Sequence, residues 1–159
     1  MTKRNPATPA TDPGEVADIL NGLLETVRDG EQGFRTAANG VDDAELKRLF
    51  LSLGTQRAEF AAELESEILR LGKKPADHGH LAGAMHRGWI DIKAAVTGKD
   101  ESAIVSEAER GEDFAVKEYR EALQKGLPAA VQVVVERQYT QIQDAHDHVR
   151  SLERAHDRR

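Results

Sequence analysis

The chain contains no cysteine. That absence removes disulfides, thiolate zinc sites, iron–sulfur clusters and cysteine nucleophiles together. Aromatic side chains are nearly as scarce, at 4% of 159 residues with a single tryptophan. Sheets draw their stability from aromatic and β-branched residues packed on pleated faces, so this scarcity speaks against a β fold. No apolar run approaches the roughly 18 residues of a membrane-spanning helix. The opening MTKRNPATPATD has no hydrophobic stretch of the kind a signal peptide or anchor needs, and it reads as a disordered tail over residues 1–12. Both absences predict a cytoplasmic protein with no membrane partner. A surplus of positive charge is missing too: the net charge of -6 argues against a general nucleic-acid binder, which needs a basic face to displace counterions. Arg150, Arg154, Arg158 and Arg159 cluster at the carboxyl end, where cations complement a helix dipole.

What remains is a mixture rich in Ala, Glu, Leu and Arg, of a length that suits one domain with a real core. Its punctuation divides it into helices. Asp12-Pro13 reads as an N-cap followed by proline at the first helical position, opening a helix that runs to a left-handed stop at Asn39-Gly40. Asp42 caps a second helix that continues to Leu71 and ends at Gly72. Lys73 to Gly79 is a loop around Pro75, followed by a short helix from Leu81 to Val96 that carries Trp89 and closes at Gly98. Asp100 or Ser102 starts a third long helix that stops at Gly126, and Pro128 opens a fourth that reaches nearly to the end.

Apolar residues recur at spacings of three and four along each long segment, the pattern of helices that bury one stripe. The stripes run through Leu20, Leu24, Val27, Glu31, Phe34 and Ala38; Leu46, Phe50, Leu53, Arg57, Phe60, Leu64, Ile68 and Leu71; Val105, Glu109, Glu112, Val116, Tyr119 and Leu123; and Val131, Val135, Gln138, Ile142, Ala145, Val149 and Leu152. Tight turns make the first pair and the last pair antiparallel hairpins. The connection between the pairs is long enough to cross the bundle, so the second and third long helices should be parallel. The predicted fold is an all-α, ferritin-like four-helix bundle over residues 13–159, with an extra short crossover helix.

Several strings also carry a resemblance. DGEQGFRTAA, LFLSLGTQRAEFAAEL, HRGW and ERGED, together with Gln143, His146 and Asp147 near the end, resemble an uncharacterised bacterial family of ferritin-like four-helix-bundle proteins. Relatives in the wider superfamily often bind two iron or manganese ions, so the resemblance implies a carboxylate-rich metal core. It also leaves a homo-oligomer open, although no spare apolar stripe marks an interface.

The polar residues that interrupt the stripes, Glu31, Arg57, Glu109, Glu112 and Gln138, admit two accounts, because a charge in a core must be paired or metal-bound. In the first, iron or manganese is held as the superfamily template implies, by a Glu from each of two helices and Glu-x-x-His from the others. Glu31, Glu109, Glu112, Gln143 and His146 are the candidate ligands and come to similar heights in the bundle. The second long helix spoils the match, since neither Glu59 nor Glu63 has a His three residues on. In the second account the core is a structural network, with Arg57 paired to Glu112 or Glu25 and Gln56 and Gln138 completing hydrogen bonds. His78 and His80 read as solvated loop residues, His86 as a packing or capping residue, and His148 and His156 as facing water. Gly30 and Gly33 lack the strand and lysine of a phosphate loop, and read as permitting close helix packing.

Overall fold

The computed structural model describes residues 12–77 and 88–157. Helix α1 spans Pro13–Gly40, α2 Ala44–Arg70, α3 Ile92–Thr97, α4 Glu101–Leu123 and α5 Ala129–Asp157, with no strand among the described residues. The four long helices thus have 28, 27, 23 and 29 residues. The amino-terminal tail, His78, His80 and His86 with the rest of the expected helix start at Leu81, and Arg158 and Arg159 lie outside the described residues, as does the side chain of His156.

Local chemistry sets most boundaries where the sequence puts them. Asp12 caps α1 by accepting from the Gly14 amide at 3.2 Å, and Pro13 follows it. Asp100 caps α4 through the Ala103 amide at 3.2 Å. Gly72 and Gly126 take the left-handed conformation past the ends of α2 and α4, with φ of 74° and 69°. Three details differ. The cap of α2 is Asp43, whose carboxylate accepts from Glu45 and Leu46 at 2.9 and 3.0 Å, rather than Asp42. Gly40 is not a left-handed stop but the last residue of α1. A Cβ there would meet Val96 at 2.7 Å and Ile104 at 2.8 Å, so its role is close approach. Trp89 is not on the crossover helix: it lies just before α3, after Gly88, whose φ of 95° turns the chain.

Two apolar clusters establish the topology. One joins the amino-terminal half of α1, the carboxyl-terminal halves of α2 and α4 and the start of α5, through residues such as Leu20, Leu64, Tyr119 and Val135. The other joins the opposite halves, through Phe34, Phe50, Ile104 and Val149. The amino-terminal ends of α2 and α4 therefore share one end of the bundle, and the two helices are parallel. At about 1.5 Å per residue the bundle is roughly 40 Å long.

The buried line of α4 differs from the expected one by a rotation. Ala108, Ala115 and Ala122 face the core, whereas Glu109, Val116 and Leu123 are only partly buried. Larger residues suggest the stripe, but at one level something bulky enters the seam between α1 and α4, and a glycine faces it from each helix. That group is the Trp89 indole, 1% exposed and edge-on to Phe34 with ring centroids 4.9 Å apart. A Cβ on either Gly33 or Gly111 would lie 2.2 Å from its ring, so only glycine leaves room on both helices.

The crossover is tied down on both sides of this wedge. Arg28 of α1 donates to the Ala76 carbonyl at 2.7 Å and to Glu65 at 2.9 Å, and Asn21 accepts from the Ala76 amide at 2.7 Å. Glu107 of α4 accepts from the Asp91 amide at 3.1 Å, and Arg110 reaches Asp91 at 3.4 Å. Gly33 and Phe34 of DGEQGF, Gly88 and Trp89, and Arg110 and Gly111 of ERGED thus meet at one place in the fold.

Candidate metal centre

Midway along the bundle, between the two apolar clusters, Arg57 of α2 and Glu112 of α4 form a buried bidentate pair. The two guanidinium nitrogens donate to the two carboxylate oxygens at 2.6 and 2.7 Å, with the side chains 1% and 0% exposed. Arg57 also donates from Nε to Gln56 at 3.3 Å and lies 5.3 Å from the Phe34 ring centroid. A Cβ at Gly30 would stand 3.4 Å from the guanidinium, so α1 leaves space for it. Lower in the core the Tyr119 hydroxyl donates to Gln138 at 2.7 Å, and Gln138 donates to the Phe60 carbonyl at 3.4 Å. Burial pushes the Tyr119 phenol well above its ordinary range, so it stays protonated.

Of the expected ligands, the structure brings two together and separates three. Glu31 turns outward to Arg35 at 2.7 Å. Glu112 gives both oxygens to Arg57. Gln143 donates to the Tyr139 hydroxyl at 3.1 Å. Glu109 and His146 do meet, and Asp113 joins them: one carboxylate oxygen of each acid and one ring nitrogen all lie within 4.8 Å of one another. This cluster occupies the outer seam between α4 and α5, with side-chain exposures of 19% for Glu109, 14% for His146 and 61% for Asp113.

Helix geometry explains the grouping. Glu109 and Asp113 are four residues apart and share a face of α4, while Gly111 and Glu112 between them point to Trp89 and the core. The sequence reading missed Asp113 because it searched for Glu-x-x-His; the Glu-x-x-x-Asp spacing inside ERGED was the available signal. The Asp147 carboxylate sits 3.2 Å from His146 Nδ1 while Asp113 approaches Nε2 at 2.5 Å. Burial by itself lowers the His146 pKa, but hydrogen bonds and charge from Asp147 and Asp113 outweigh it and raise the value overall. Arg150 stands 3.7 Å from Glu109.

The two sites differ in their fitness for metal. The dinuclear centre of the superfamily template needs several core carboxylates converging on one point; here Glu112 is already engaged by a cation and the buried Glu107 is turned to the Asp91 amide and Arg110, so the expected ligands do not fit it. The outer cluster offers imidazole and two carboxylates, a donor set that suits divalent transition metals. Asp147 on the far nitrogen supplies the carboxylate that orients metal-bound histidines.

Comparison with known proteins agrees with this fold. A two-domain protein from Anabaena variabilis, containing DJ-1/ThiJ/PfpI-like and ferritin-like domains, superposes with a TM-score of 0.75 at 20% identity. The match covers 93% of this chain and 41% of that one, so this chain spans about two fifths of its neighbour's length. No curated protein matches. Residues 15–125 match the family described as Domain of unknown function (DUF2383), and the chain belongs to this family, with a fold like that of a ferritin-like domain.

Proposed function

We propose that this domain binds a single divalent transition-metal ion, iron(II) or manganese(II), through Glu109, Asp113 and His146. The convergence of their three ligand atoms within 4.8 Å carries the reading. Three protein ligands leave positions for water, and the seam is open on the Asp113 side. The neutral imidazole is the ligating form, so binding displaces the proton that the flanking carboxylates favour. Arg150 must yield Glu109, which a half-exposed side chain can do.

Titration of manganese(II) or anaerobic iron(II) into the protein purified without chelators tests this. The wild type should take up one ion, and H146A and D113N should each bind at least about tenfold more weakly. Equal binding by all three proteins would remove these residues from the site. A second reading, a metal-free structural or interaction bundle, rests on the closed Arg57–Glu112 pair and on the signature strings being spent on Trp89. Absence of binding by the wild type would select it.

A further inference from the structure

We infer that Arg57 is a resident cation in the place where a ferritin-like core would hold metal, so that the core admits no ion and the described residues offer one ion site, outside it. The part of this concerning the outer ion rests on the function proposed above; the part concerning the core does not.

The argument is one of charge and donors. At the level of Arg57, α1 presents Gly30 and the Phe34 ring, while Glu31 is turned out to Arg35. Helix α2 presents Arg57 with Gln56, α4 presents Glu112, and α5 presents the apolar Ile142. Gln138, nearest below on α5, is committed to Tyr119 and the Phe60 carbonyl. The guanidinium and the carboxylate form a pair that is neutral as a whole. Two divalent ions would bring four positive charges to a layer whose facing carboxylate, Glu112, already has both oxygens taken. Even one ion there would have to displace the guanidinium and strand it, unpaired, between Phe34 and the backbone of Gly30.

The layer just outside differs at every point. Glu109 and Asp113 belong to the same turn of α4 but face α5 and solvent, where they meet the His146 ring. The α4 turn therefore sorts its acids: Glu112 inward to a fixed cation, Glu109 and Asp113 outward to an exchangeable one.

Stoichiometry and two variants test the inference. Metal uptake is measured with manganese(II) in excess by equilibrium dialysis and elemental analysis, and affinity by calorimetry. One variant removes the outer donors (D113N with H146A); the other replaces the core pair by apolar residues of similar volume (R57M with E112L). The wild type should saturate at one ion, the outer variant should lose at least tenfold in affinity, and the core variant should stay within threefold of wild type. A second ion in the wild type that E112Q abolishes would overturn the inference, as would tight binding that survives loss of the outer donors. A wild type that binds nothing would support an ion-free core while removing the outer metal site. Should the core variant fail to fold, wild-type stoichiometry and the outer variant decide the matter together.

Discussion

The inner and outer faces of one turn of α4 handle negative charge in opposite ways. Glu112 is sealed from water and meets a guanidinium in a fixed fork, while Glu109 and Asp113 are partly wet and meet a histidine whose charge is not permanent. The difference follows from dielectric. In the interior a carboxylate without a partner is costly, so its partner must come with the fold and cannot exchange. At the rim water screens the charge, a dedicated partner is unnecessary, and the same residue type is left free to take a ligand. The acids to suspect of function here are the ones that the fold does not use.

That contrast can be broken most severely from the inside. R57A leaves Glu112 buried with no cation and should cost about 3–5 kcal/mol in chemical denaturation. A loss below about 1 kcal/mol would mean the pair behaves like a surface bridge. Next comes the wedge that holds α4 against α1. W89A empties a buried aromatic site and should cost about 3–5 kcal/mol, and G111A, which drives a methyl into the indole, about 1–3 kcal/mol or more. If G111A were neutral, the close approach of Trp89 to α4 would be wrong. Moving outward, D113N should change stability by less than about 1 kcal/mol, since Asp113 is 61% exposed, yet weaken manganese binding. A large loss of stability with unchanged binding would reverse the assignment. The smallest effect is expected at Glu31, the displaced ligand: R35A removes an exposed i,i+4 pair and should cost no more than about 0.5 kcal/mol, without effect on metal uptake.

The sequence made the bundle legible because its signals are redundant. Caps at Asp12 and Asp100, glycine stops at Gly72 and Gly126, and three of the four stripes all point the same way. The core pair was legible as well, since a long basic residue on a buried line needs a buried acid, and Glu112 was one of two candidates. The metal residues were less so. The superfamily template, a lone Glu on some helices and Glu-x-x-His on others, points to Glu31 and Gln143, which answer to Arg35 and Tyr139, and away from Asp113. The heptad line on α4 runs through Val116 and Leu123, whereas Ala115 and Ala122 face inward, and Gly111 is where α4 lies close to a tryptophan supplied from elsewhere in the chain. Long-range packing of that kind leaves no periodic trace. Neither does the clasp of Arg28 on the Ala76 carbonyl, which joins residues 48 positions apart.

Trp89 is the chain's only tryptophan, and its position makes it a natural optical probe of assembly. The α1–α2 and α4–α5 hairpins each form from neighbouring segments, but the indole reaches its site only when one hairpin has closed on the other. Far-ultraviolet dichroism follows helix formation within the hairpins, whereas tryptophan emission follows their union. Unfolding curves that coincide by the two signals would describe one cooperative unit; an emission change at lower denaturant would expose hairpins that outlive the bundle.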